Sequence, residues 1–90
     1  MQSLTLFGMV TNGPRPNDAR HRISCNIRAQ RKARGLSQEQ LAELANFHRT
    51  YVSQLERCVT NISIDGLQRL AAALEVDIVD LLRHDRADAA

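Results

Sequence analysis

Residues Gln38–Arg57 read QEQLAELANFHRTYVSQLER. Leu41, Ala42, Leu44 and Ala45 in the first half recur at the i, i+3, i+4 spacing that gathers apolar side chains on one face of a helix. Tyr51, Val52 and Leu55 do the same in the second half. Between them stands Asn46-Phe47-His48. Asparagine can take the left-handed conformation that ends a helix, the ring of Phe47 can be buried, and His48 occupies an N-cap position. Two short helices joined by so tight a turn form a helix-turn-helix pattern.

Upstream, a helix is predicted from about Arg20, with Ile23, Ile27 and Ala33/Arg34 on one face and Gln30 where another apolar residue belongs. Gly35 stops it in the C′ manner. Ser37-Gln38-Glu39-Gln40 is a capping box, with Ser37 as cap, Gln40 at N3 and Gln38 at N1, where its side chain and the neighbouring amides can point to a phosphate. Downstream, Thr60-Asn61-Ile62-Ser63 is a polar loop. Ser63 can cap a helix Ile64–Leu74 whose predicted inner face is Ile64, Leu67, Leu70, Ala71 and Leu74, with Gly66 weakening its first turn. Glu75-Val76 breaks the pattern. Asp77 can cap a last short helix, Ile78–Leu82, with Ile78, Leu81 and Leu82 apolar.

The expected organisation is therefore a tail (1–19), a helical domain (20–83) and a charged, alanine-ended tail (84–90). Met1 to Val10 is mildly apolar, and Thr11 to Asp18 gathers Asn, Gly and two Pro, which is linker chemistry. The first ten residues are expected to be a flexible tail or a short strand pairing with another chain.

Ninety residues allow one small domain. Aromatics are only 3%, so the core must be aliphatic, which suits a small all-α bundle. The net charge of +2 hides an asymmetry. Residues 1–57 carry nine Lys/Arg against four Asp/Glu, and residues 58–90 carry three against six. Six basic residues and no acid lie from Arg20 to Arg34, which suggests a polyanionic partner on one side; Arg28, Lys32 and Arg34 could equally be a solvated face. Cys25 and Cys58 lie 33 positions apart, with no metal-ligand spacing, and the histidines His21, His48 and His84 are scattered. No metal or other cofactor is expected, and the thiols are expected to be free. No signal peptide pattern and no apolar run near the roughly 20 residues that span a bilayer appear, so a cytoplasmic protein away from the membrane is expected. No Ser/His/Asp or Cys/His set, Gly-rich phosphate loop or paired carboxylates point to an enzyme.

Taken together, Ile27-x-x-x-Arg31, Gly35-Leu36-Ser37-Gln38, Leu41-Ala42, Arg49-Thr50-Tyr51-Val52-Ser53-x-Leu55-Glu56-Arg57 and Leu70-Ala71-x-Ala73-Leu74-x-Val76 resemble the lambda-repressor-like, Cro or XRE-type DNA-binding family over residues 23–82. Arg49-Thr50-Tyr51 with Val52-Ser53 looks particularly like the controller proteins of restriction-modification systems, though many plain XRE-type regulators share it. The resemblance implies a compact five-helix bundle, with its second helix across the DNA backbone and its third in the major groove, and dimers on pseudo-palindromic operators. It implies that Gln38 bonds a phosphate and braces the recognition helix, that Arg49, Thr50, Ser53 and Gln54 read bases, and that Glu56 pairs with Arg31. Three positions depart from the family pattern: His48 stands for a Ser, Thr or Asp cap, Cys58 for a terminating Gly, and Gln30 for an apolar residue.

The residues themselves suit that role. Arginine can grip guanine bidentately, glutamine adenine, and threonine and serine either base or the thymine methyl. The candidate DNA-binding set is Gln38, His48, Arg49, Thr50, Tyr51, Ser53, Gln54 and Arg57. Tyr51 divides between core packing and a phosphate bond from its hydroxyl, and His48 is a cap or rim residue. The leading expectation is a sequence-specific regulator of transcription that binds double-stranded DNA as a homodimer, with Ile78, Leu81 and Leu82 as the dimer surface. The alternative is an antitoxin or prophage-type module whose first duty is a protein partner, for which Leu4–Val10 could supply an added strand.

Overall fold

The computed structural model describes residues 18–84. The expectations for Leu4–Val10, for the linker up to residue 17 and for residues 85–90 lie outside them. Among the described residues five helices follow one another without a strand: α1 (Ala19–Ala33), α2 (Gln38–Ala45), α3 (Arg49–Glu56), α4 (Ile64–Leu74) and α5 (Ile78–Leu82).

Each helix begins on a polar cap whose side chain accepts a backbone N–H, so donors that the helix itself leaves free find partners. Asp18 accepts from Arg20, so α1 starts at Ala19, one residue before the expected start of the domain. Ser37 and Gln40 form the reciprocal capping box, at 3.0 and 2.8 Å. His48 Nδ1 accepts from Thr50 at 3.2 Å, Ser63 accepts from Gly66, and Asp77 pairs reciprocally with Asp80.

Four helix ends share one device. A residue at positive φ (Gly35, Asn46, Cys58 or Glu75, at 59° to 69°) reverses the chain. The next amide, of Leu36, Phe47, Val59 or Val76, then donates to the carbonyl five residues back, at 2.8–3.0 Å. This is the Schellman pattern, and an apolar residue follows the reversal each time. Glycine takes such a φ freely; the other three pay of order 1 kcal/mol each.

The core is Ile23, Ile27, Leu41, Ala42, Ala45, Val52, Leu55, Leu67, Leu70, Ala71, Leu74 and Leu81, with Phe47, Tyr51, Ile62, Val76 and Ile78 packed around it. α2 and α3 pack on each other, α4 lies against α2, and α5 closes the bundle against α1 and α4. Four expectations are corrected. Ala33 and Arg34 are exposed, and the Arg34 side chain runs over the surface to Glu75. Leu44 (60% exposed) and Ile64 (72% exposed) sit at the rims of stripes whose centres are Leu41/Ala45 and Leu67/Leu70/Leu74. Leu81, expected on a dimer surface, is fully buried: in a helix of five residues one side chain must anchor it, and Leu81 does.

Gly66 is more than a weak point in α4. A methyl group there would lie 3.0 Å from Ile62 Cγ1 and 3.3 Å from Phe47 Cζ. The missing side chain lets the start of α4 approach the ring of the helix-turn-helix turn.

Candidate nucleic-acid interface

At about 100° per residue, α3 divides cleanly. Tyr51, Val52, Leu55 and Glu56 occupy one arc and face the bundle, buried except for the half-buried Tyr51. Arg49, Thr50, Ser53, Gln54 and Arg57 occupy the opposite arc of about 140° and are exposed or half-buried. One face of one helix thus presents two guanidiniums, two hydroxyls and an amide to solvent. Such a set can donate to phosphates and read base edges.

This face is held from behind by a buried ionic cluster. Glu56 is 3% exposed. Arg31 donates to both its carboxylate oxygens, Nε at 2.6 Å and Nη2 at 2.9 Å, and gives Nη1 to the carbonyl of Leu36 at 2.8 Å. Gln38 Nε2 adds a bond to Glu56 Oε1 at 3.0 Å. Arg28 Nε lies 3.7 Å from the carboxylate, and its Nη2 donates to the Glu56 carbonyl at 3.0 Å. Burial pushes the Glu56 carboxyl up, but the bonds from Arg31 and Gln38 and the charges of Arg31 and Arg28 outweigh it and hold it below the usual range. The bond to Glu56 raises Arg31 against the effect of burial. The cluster ties α1, the start of α2 and the end of α3 to one carboxylate.

The expected Arg31–Glu56 pair is therefore present, and the brace from Gln38 runs through it. Gln38, at the first position of α2, is half-buried. His48 is exposed at the start of α3, beside Arg49 and close to Glu39 and Glu43 of α2 across a shallow depression. Tyr51 packs its ring against Phe47, centroids 4.9 Å apart, and its hydroxyl donates to the Asn61 carbonyl at 2.8 Å. Burial pushes the phenol up, with the charge of Arg69 pulling the other way. Its one proton is engaged within the fold, which favours the packing alternative.

Two side chains escaped the sequence. Arg28 reaches the end of α3, and Arg69 of α4 reaches the turn between α2 and α3. Both lie among exposed polar positions, and no spacing betrays a contact 23 to 28 residues away. Among the described residues no group of three or more His, Cys, Asp or Glu is placed to hold a metal ion, and no helix is long and apolar enough to cross a membrane.

His48 also makes a prediction. His48→Asp places a strong, compact cap on α3 and is expected to raise stability by about 0.5–1 kcal/mol. If the outward arc of α3 meets phosphates, the same negative charge beside it is expected to weaken DNA binding. Thermal melting and filter binding should move in opposite directions; parallel movement would place His48 away from DNA.

The helix-turn-helix family HTH_3 matches residues 27–81. The chain is 40% identical over 65 residues to the control protein C.SmaI of Serratia marcescens, covering 72% of this chain and 77% of that protein. A hypothetical transcription factor from Neisseria has a similar structure, with a TM-score of 0.76 at 35% identity, covering 88% of this chain and 91% of that one. The restriction-modification controller protein C.AhdI from Aeromonas hydrophila follows at a TM-score of 0.67 and 37% identity, over 69% and 94% of the two chains.

Proposed function

This chain belongs to the HTH_3 helix-turn-helix family of DNA-binding transcriptional regulators, and on that premise we propose that it acts as a homodimer on a palindromic operator, with α3 in the major groove. The observation that carries this is the exposed polar arc of α3 backed by a buried ionic cluster. On this reading Arg49, Thr50, Ser53 and Gln54 read bases. Gln38, His48, Tyr51 and Arg57 serve the backbone or position the helix. The DNA-binding unit spans 20–83. The chain works in the cytoplasm by binding, without catalysing a reaction.

In a dimer the two copies of α3 would enter successive major grooves about 34 Å apart. The apolar side chains left exposed on α5, Val79 (54%) and Leu82 (37%), together with half-buried Ile78, support a dimer contact there. Leu81 is withdrawn from that contact by its burial.

Selection from a pool of random duplexes at two salt concentrations tests the reading. A palindromic site bound at least about 10³-fold more tightly than random DNA is expected. Weak, steeply salt-dependent binding with no enriched sequence would overturn it. On the selected site Arg49→Ala is expected to cost about 1–3 kcal/mol and to relax the preference at one base pair. An equal loss on random DNA would reassign Arg49 to the phosphates.

A further inference from the structure

We infer that Arg69, outside the helix-turn-helix, is a positioning residue that sets the angle between α2 and α3 and thereby the sequence preference of the bound protein. This deepens the proposed function and rests on it.

The local bonds of the reversal take the Ala42 and Glu43 carbonyls of α2 and leave those of Ala45 and Asn46 to more distant partners. The last turn of any helix leaves carbonyls without partners of their own, and they carry the negative end of its dipole. Here the guanidinium of Arg69 meets them. Its Nε donates to the Ala45 carbonyl at 3.2 Å and its Nη2 to the Asn46 carbonyl at 2.5 Å. Asn46 is the residue whose positive φ reverses the chain, so Arg69 bonds the reversal itself.

The same guanidinium lies over the ring of Phe47, Cζ to centroid 4.1 Å, in the geometry of a cation–π contact. Phe47 in turn meets Tyr51, on the first turn of α3, and crowds the face of Gly66 at the start of α4. A continuous path of contacts runs from α4 through Arg69 and Phe47 to α3. Phe47 lies in the space that the glycine leaves open, since a side chain at 66 would meet its Cζ at 3.3 Å. It cannot shift away without leaving the guanidinium. The ring is a spacer between α3 and α4, and Arg69 is the clamp that holds it there.

Two fixed bonds and a stacked plane are a demand that only arginine meets. Lysine keeps the charge but is a point donor on a flexible stem, and cannot span both carbonyls and cover the ring. Base reading needs side chains held to a fraction of an ångström, whereas attraction to phosphates tolerates small rotations. Loosening the clamp should therefore act on the preference for one sequence over another and spare binding to DNA in general.

The test uses the full chain and the site selected by the wild-type protein, with random duplex as the comparison probe. For Arg69→Lys, at a temperature well below its melting midpoint, the ratio of specific to random affinity is expected to fall about tenfold, the loss of roughly one base contact. Random-DNA affinity and its salt dependence are expected to stay unchanged. In a double-mutant cycle with Arg49→Ala the two losses are expected to be less than additive, since Arg49 can read a base only when α3 is held. Should Arg69→Lys not fold, Arg69→Gln, which keeps one neutral donor, takes its place in both measurements. A lowered melting midpoint with an unchanged ratio would show a merely structural residue and overturn the inference. So would equal losses on both DNAs, which would make Arg69 a phosphate contact, and so would additive losses in the cycle. If the wild-type protein selects no site at all, the proposed function falls, and the inference falls with it; a selected site with an unchanged ratio removes the inference alone.

Discussion

Glu56→Ala is expected to cost about 3–5 kcal/mol of stability, the loss typical of a buried ion pair deprived of one partner. The reason is what it leaves behind. The side chain of Arg31 is 12% exposed, and its remaining bond is one carbonyl, that of Leu36. Gln38 loses its acceptor and Arg28 its counter-charge. In a domain this small each kcal/mol moves the melting midpoint by about 4–8 °C, so a fall of more than about 10 °C is expected. A fall of about 1 kcal/mol or less would mean that the cluster behaves like a surface pair. The same carboxylate dictates an acid limit. Its folded pKa lies below the ordinary glutamate value, so its contribution is complete above that value, about 4.3, and is lost as pH falls through the folded value. Melting followed downward from neutral pH should show the wild type losing this contribution only below the ordinary glutamate value, and Glu56→Gln should lack that part of the decline.

Leu81→Ala is expected to cost about 2–5 kcal/mol, because it removes a fully buried side chain and leaves a cavity. The loss should be local as well as large. An isolated helix of five residues has no stability of its own, so α5 is held by packing. Amide exchange is expected to quicken first at Ile78–Leu82. Leu82→Glu is the contrast: at 37% exposed, Leu82 contributes little to the core, and its replacement should weaken self-association in sedimentation while leaving the monomer's melting nearly unchanged. If Leu81→Ala instead weakens the proposed dimer and spares monomer stability, the anchor has been assigned to the wrong leucine.

What could be read from the chain was whatever is local. The capping box of Ser37 and Gln40, the caps at His48, Ser63 and Asp77, the reversal at Asn46 and the break at Glu75 are each decided within five residues. The helical periods placed Leu41, Val52, Leu55, Leu67, Leu70 and Leu74 in the core, where they are. The period fails at the edge of a stripe. Leu44 and Ile64 are apolar and correctly spaced, yet whether a rim position is covered depends on how far the neighbouring helix extends. Leu81 was misassigned for a related reason, since a five-residue helix is too short for its spacing to tell inside from outside. Arg28, Arg69 and Gly66 were out of reach because their partners come from elsewhere in the fold. The Arg31–Glu56 pair spans 25 positions and was foreseen only through family resemblance.

The reversals at Gly35, Asn46 and Glu75 leave connections of only three or four residues, against seven between α3 and α4. An extra residue inserted within α3 would turn everything beyond it by about 100° and carry the outward arc toward the bundle. Residues 31–56 are thus a stretch in which length is far less negotiable than spelling. On the proposed reading, a lineage of such chains retargets itself by exchanging letters at 49, 50, 53 and 54, whereas gaining or losing a single codon within α2 or α3 turns the reading face away.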